Sequence, residues 1–208
     1  MSRTERGNFA SIQNCICSLR FPLILRKLPM RPRFSISLAV LASLWIAFPA
    51  AAQDVTRESV PGVTNLSRLE TAVACSGSIQ AAAVPKIKQM GYVTLINLQE
   101  ASEAVANVEA EESAARAAGL HYFHIPFNAG WPNPAAVDKF IQVITTKGIE
   151  PAFIHCLSGG RAAMMWFIKR LVVDRWNKER AEQEAVALGM KNPALMEFAV
   201  SYTQTHMR

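Results

Sequence analysis

His155, Cys156 and Arg161 stand in the run FIHCLSGGRAAM (residues 153–164), where an apolar stretch ends in a thiol, four residues pass, and an arginine opens a stretch of helical character. A thiol is a weak nucleophile near neutral pH until a helix N-terminus or a cation favours its thiolate, and both are expected beside Cys156. A turn over residues 157–160, in which Gly159 and Gly160 can take positive φ, would aim the amides of Leu157, Ser158, Gly159 and Gly160 inward as an anion-binding nest. Arg161 adds a planar fork of donors suited to a tetrahedral oxyanion. An isolated cysteine is more economically read as a small buried residue. The order His, Cys, turn, Gly-Gly, Arg, helix outweighs that reading and favours a thiolate facing a bound anion.

Such a turn has to hang from a scaffold, and the flanking pattern alternates. Residues 80–90 are helical, with Pro85 tolerable in the first turn and Gly91 as the stop. Residues 92–98 (YVTLINL) form a buried strand, 104–118 a helix closed by Gly119, and 121–125 (HYFHI) a short strand. FNAGWPNP is a loop by its Asn, Gly and Pro content. Residues 135–146 place Val137, Phe140, Ile141 and Ile144 on one helical face. Residues 152–155 are a strand. Helices fill 161–176, 178–188 and 193 to about 205, the last with Asn192 as N-cap and Pro193 at its first position. This alternation predicts an α/β fold with a central, mostly parallel sheet and helices on both faces. Ligands bind such sheets beyond the carboxyl ends of the strands, where Cys156 falls.

The first 52 residues read as a leader. Arg31 and Arg33 precede an uncharged apolar run (35–48) and then Ala50-Ala51-Ala52, the three parts of a secretory signal peptide, with Met30 as an alternative start. The run is shorter than the roughly 20 residues of a membrane span, so removal after Ala52 is expected rather than anchorage. That leaves 53–208 as one domain, exported to the periplasm or secreted, and not membrane-bound after cleavage. The leader holds seven of the 22 Lys and Arg residues and one of the 16 acids, so the remainder carries 15 of each. The basic pI of 9.4 therefore lends no support to nucleic-acid binding.

Taken in order, GYVTLINLQ, AEESAARAAGLHYFHIPF, the later Asp138, HCLSGGR and EQEAVALGMKNPAL resemble cysteine-dependent phosphatases of the protein tyrosine and dual-specificity type. The resemblance is narrower still to the bacterial phosphatase-like domain found attached to β-lactamase-hydrolase-like proteins, and it spans about residues 66–202. It implies a protein tyrosine phosphatase-like fold and hydrolysis of phosphate monoesters through a cysteinyl-phosphate on Cys156. Arg161 and the amides of residues 157–160 would cradle the phosphate, with His155 as support for the loop. A phosphorylated small molecule or a phosphoprotein would be the partner.

The chain departs from that pattern in three places. Four residues rather than five separate Cys156 from Arg161. Ala162 and Ala163 stand where Ser or Thr usually follows the arginine, leaving Ser158 as the only loop hydroxyl. The loop after HIPF has no carboxylate, so the general-acid Asp is missing, an aid typically worth about 10²- to 10⁴-fold. Asp138 and Glu100 are candidate replacements, each weighed against being an ordinary solvated carboxylate. Without an acid, aryl phosphates should react faster than alkyl ones. His124 is read as a satisfied strand residue, and Trp131 and Pro132 as packing residues rather than a pocket rim.

A C-x-S-G-x-R loop also resembles rhodanese-type sulfurtransferases, in which the cysteine carries a persulfide. A third alternative is a non-catalytic module that binds a phosphorylated or sulfated anion. Cys75, just before Gly77, is a candidate redox partner for Cys156. The four His lack partner spacing, so no metal site and no cofactor are expected.

Overall fold

The computed structural model describes residues 54–70 and 72–207, and the leader assigned to residues 1–52 lies outside them. Six strands form one mixed, mostly parallel sheet: β1 (Val55–Val60), β2 (Val63–Leu69), β3 (Val73–Ser76), β4 (Thr94–Asn97), β5 (His121–His124) and β6 (Ala152–His155). Their spatial order is β1-β2-β3-β6-β4-β5, with β1–β2 and β2–β3 antiparallel and the remaining pairs parallel. Helices α1 (Val84–Gln89), α2 (Val108–Ala117), α3 (Pro134–Ile144), α4 (Gly160–Val172), α5 (Lys178–Leu188) and α6 (Pro193–His206) cover it.

The two faces follow from strand alternation. Ala74, Leu95 and Phe153 point to the side where Val84 and Ile87 of α1 and Ala115 of α2 pack. Their neighbours Cys75, Ile96 and Ile154 point to the other side, against α3, α4, α5 and α6. Helix α4 runs through this second core and is buried on every side from Arg161 to Leu171. Its polar members are satisfied locally. Trp166 Nε1 and Arg170 Nε both donate to Glu184 Oε1 at 2.7 Å, and the Arg170 guanidinium lies 4.0 Å from the centre of the Trp176 ring. Glu184 thereby ties α5 to α4.

Several elements differ from the sequence reading. No strands were expected in residues 54–76, where the structure has three. The hairpin β1–β2 buries one residue of six in β1, Val60, so the apolar alternation that marks a strand is almost absent there. The helix expected over 104–118 begins at Val108, because Asn107 accepts the Ala110 amide and caps it. Residues 99–106 therefore form a loop, folded on itself by Glu103 N–H to Glu100 O and Ala106 N–H to Glu103 O. Helix α4 ends at Val172 rather than 176, shortly before Arg175 adopts positive φ. Helices α5 and α6 start where expected, each capped by an asparagine, Asn177 and Asn192.

Candidate active site

Strand β6 is central, flanked by β3 and β4, and the chain leaves it at Cys156 directly into the turn that starts α4. The turn is fixed from outside by its carbonyls. Leu157 O accepts the Ser78 amide at 3.1 Å, and Ser158 O accepts Asn65 Nδ2 at 3.3 Å. Gly77 bridges to Ser158, and a methyl group at position 77 would meet Thr64 Oγ1 and sit 2.9 Å from Leu157 O. Only glycine lets β3 approach the loop this closely.

With the carbonyls turned outward, the amides turn in. Gly159 N–H donates to Cys156 Sγ at 3.1 Å. Gly159 takes positive φ (102°), whereas Gly160 does not and instead begins α4. The first amides of that helix have no partner inside it, as at any helix N-terminus, which makes the helix start a ready place for an anion. Cys156 itself has no exposed surface, so the sulfur lies beneath the loop.

Arg161 is held on one side only. Its Nη1 and Nη2 form a bidentate pair with Glu103 Oε1 and Oε2 at 2.6 and 2.7 Å, and Nη1 also donates to Leu98 O and Phe127 O. Beyond Glu103 and the two carbonyls, the further partner of the guanidinium is the Cys156 side chain, so its remaining donors serve the sulfur and an anion bound over it. Burial would raise the Glu103 carboxyl, yet the hydrogen bonds from Arg161 and from the Glu100 amide, with the Arg161 charge, hold it below the usual carboxylate range. Burial would likewise lower the Arg161 guanidinium, but Glu103 and the neighbouring Cys156 hold it above its ordinary value.

Below the loop lies a second polar group. His155 and Glu111 are both fully buried, with His155 Nε2 3.2 Å from Glu111 Oε2 but not aligned as a hydrogen bond. Asn97 Nδ2 donates to Glu111 Oε2 (2.7 Å) and to Tyr122 Oη (3.1 Å), while Asn97 Oδ1 accepts the Gln99 amide (2.8 Å). Above all, burial pushes the Tyr122 phenol up, with Glu111 contributing. Asn97 thus connects the floor under His155 to the start of the loop that carries Glu100 and Glu103.

An open cavity of about 680 Å³ covers the turn, lined among others by Ser158, Gly160, Arg161, Glu100 and Glu103. Glu100 accepts a hydrogen bond from Asn128 Nδ2 at 2.8 Å. Asp138 is not in this lining; on α3 it accepts Tyr202 Oη at 2.6 Å and remains exposed. His124 Nε2 is 2.8 Å from Gln99 O. Trp131 is 84% exposed, so the expectation that it packs is corrected: the loop that holds it is pinned by Asn128 Oδ1, which accepts the Gly130 and Trp131 amides and leaves the ring outside. Cys75 on β3 stands opposite Ile154, two residues before Cys156 and on the same face of the sheet. Both cysteines are free and buried. Burial first, then the nearby Cys156 and Glu184, push the Cys75 thiol well up.

Sequence reasoning missed Glu103, Glu111, Asn97, Asn65 and Gly77. For Glu103 a signal existed: QEASE places two acids just past the carboxyl end of a strand on the ligand-binding edge, though nothing in their spacing separates the two. Glu111 gave less, since a Glu in an Ala-rich helix reads as solvated.

The same fold recurs in known proteins. TpbA of P. aeruginosa superposes with a TM-score of 0.55 at 20% identity, over 75% of this chain and 91% of that one. The core catalytic domain of the PP-IP phosphatase SIW14 of S. cerevisiae does so with a TM-score of 0.56 at 13% identity, over 69% and 88%. In sequence, a Beta-lactamase hydrolase-like protein of Xylella fastidiosa is 30% identical over 113 residues, which is 53% of this chain but 26% of that protein. The match thus spans about a quarter of the relative's length. Residues 65–172, from the Asn65 that anchors the loop to the end of α4, match the family described as Beta-lactamase hydrolase-like protein, phosphatase-like domain, and the chain belongs to that family, on a protein tyrosine phosphatase-like fold.

Proposed function

We propose that the chain hydrolyses phosphate monoesters with Cys156 as nucleophile. One observation carries this: an amide of the turn already points at Cys156 Sγ, while Arg161, gripped by Glu103, has its remaining donors beside the same sulfur. In the reaction the Gly159 amide passes from sulfur to a phosphate oxygen, which opens the way to Sγ. The thiolate attacks phosphorus, the ester P–O bond breaks, and the leaving oxygen takes a proton. Water then attacks the phosphorus of the cysteinyl-phosphate, releasing phosphate and restoring the thiolate. Arg161 and the turn amides stabilise the equatorial oxygens throughout. Glu100 is the better placed of the two candidate acids, because it lines the cavity and Asp138 does not. TpbA has been solved with phosphotyrosine bound, which supports an organic phosphate as ligand for the fold.

The short turn favours a second reading. Four residues between Cys156 and Arg161 make a small cradle, suited to a persulfide. There the thiolate attacks the sulfane sulfur of thiosulfate, sulfite leaves, and an acceptor such as cyanide removes the sulfur. Hydrolysis of p-nitrophenyl phosphate by the full chain, beside Cys156→Ser and Arg161→Ala and with thiosulfate and cyanide in parallel, separates the two. Loss of phosphate release in both variants supports the phosphatase. Thiocyanate without phosphate release transfers the assignment to sulfur chemistry, and anion binding without either leaves a binding module. Export belongs to the same proposal, tested by sequencing the N-terminus of the mature protein.

A further inference from the structure

The cavity over the turn is larger than a phosphoryl group needs, and its charges are unevenly used. Each of its carboxylates is engaged. Glu103 holds Arg161, Glu100 accepts from Asn128, and Glu58 pairs with Arg68 at 3.0 Å. Two of its cations, Arg57 and Lys191, have no ion-pair partner among the described residues. Both stand on one wall. Arg57 is on β1, α5 packs against β1 and β2, and Lys191 follows α5 in the turn before α6. Glu100 and Asn128 follow β4 and β5, at the other end of the strand order. The hairpin side of the cavity therefore has two cations left for a ligand, since Glu58 on the same strand is taken up by Arg68.

We propose that the cavity takes a small phosphomonoester whose carbon body carries a second anionic group, held by Arg57 and Lys191 while the reacting phosphate occupies the turn. This rests on the phosphatase reading for the role of the turn and adds the class of substrate. The volume of about 680 Å³ lies in the range of small-molecule pockets, roughly 300–1,000 Å³, so both anions fit one cavity. Leu157, half exposed at its floor, offers an apolar surface to the body between them.

The test compares phenyl phosphate with 1,3-phenylene bisphosphate on the full chain, by calorimetric binding to the Cys156→Ser protein and by turnover with Cys156 intact. The bisphosphate is expected to bind about tenfold tighter, beyond the twofold due to its two equivalent phosphates, and raised salt should shrink that margin. Combining Arg57→Gln with Lys191→Gln should remove the preference, so the bisphosphate loses about tenfold more than phenyl phosphate does. Equal binding of the two probes, or a preference that survives the double variant, overturns the inference. So does a phosphotyrosine peptide with acidic flanks that binds tighter than the bisphosphate, since it would assign the wall to a protein partner. If neither ester is hydrolysed but the binding preference holds, the phosphatase reading fails and the anion wall stands. Hydrolysis of both at equal kcat/KM, with equal binding, gives the reverse.

Discussion

Replacing Glu103 tests whether Arg161 is positioned or merely paired. Both side chains are largely buried, with 9% of Arg161 and 16% of Glu103 exposed, and two charge-assisted hydrogen bonds of 2.6 and 2.7 Å join them. In Glu103→Gln one of the two bonds is lost, because the amide nitrogen faces a donor. A hydrogen bond to a charged group contributes about 1.5–3 kcal/mol, so the expected loss of stability is about 2 kcal/mol. Glu103→Ala removes both bonds and leaves a buried guanidinium with two carbonyls and the Cys156 side chain. Breaking a buried pair costs about 3–5 kcal/mol, and the open cavity beside it, which solvent can enter, puts the expectation near the lower end, about 3 kcal/mol. If the same contact aims the remaining donors of Arg161, about 2 kcal/mol of transition-state stabilisation goes with it, roughly 30-fold in kcat/KM. Urea unfolding gives the first quantity and aryl phosphate turnover the second. An Ala variant within about 0.5 kcal/mol of the parent would refute the buried-clamp argument outright, whatever its activity. A destabilised variant with unchanged kcat/KM would refute only the positioning role.

The same pair makes stability depend on acid. Because the Glu103 carboxyl is lowered in the fold, its contribution is complete above the ordinary value of 4.5 and is lost as pH falls through the depressed one; Glu103→Gln should therefore flatten the drop in urea midpoint between neutral pH and acid. Gly77→Ala should destabilise by about 1–3 kcal/mol and lower turnover by pushing Leu157 and the turn, read by urea unfolding and by kinetics. Glu100→Gln should slow alkyl phosphates more than p-nitrophenyl phosphate, whereas Asp138→Asn should leave that ratio alone; a changed ratio only in the second would move the acid to α3. Mild peroxide tests Cys75 as a resolving thiol: attack of its sulfur on a Cys156 sulfenic acid would form a disulfide, release water and show in intact mass as loss of two hydrogens, whereas its burial and raised thiol predict over-oxidation of Cys156 instead.

The parts of the site that come from one contiguous segment were legible in the sequence. Cys156, the turn and Arg161 are adjacent, and the strand before them and the helix after them have strong local patterns. What was not legible comes from pairing across the sheet. Gly77 matters because β3 lies beside β6, and that neighbourhood follows from the order β1-β2-β3-β6-β4-β5, which no local pattern encodes. Glu103 escaped for a different reason. Alanine-rich sequence favoured helix from 104 onward, while the Asn107 cap delayed the helix and left the preceding residues to fold back over the strand ends. In the hairpin, β1 escaped because it buries one residue of six, and β2 because its buried Leu66 and Ser67 are adjacent rather than alternating.

The position of each strand also ranks the parts of the site by how much of the protein must open before they are lost. Cys156 hangs from β6, paired on both sides at the middle of the sheet, whereas Arg57 sits on β1, paired on one side only and largely exposed. Amide exchange should accordingly be fastest along β1 and slowest along β6. The chemistry is thus mounted on the last strand to let go. Arg57 of the proposed anion wall rides on an edge strand, so under that proposal its part in recognition would adjust by local breathing of the hairpin without disturbing the geometry around the sulfur.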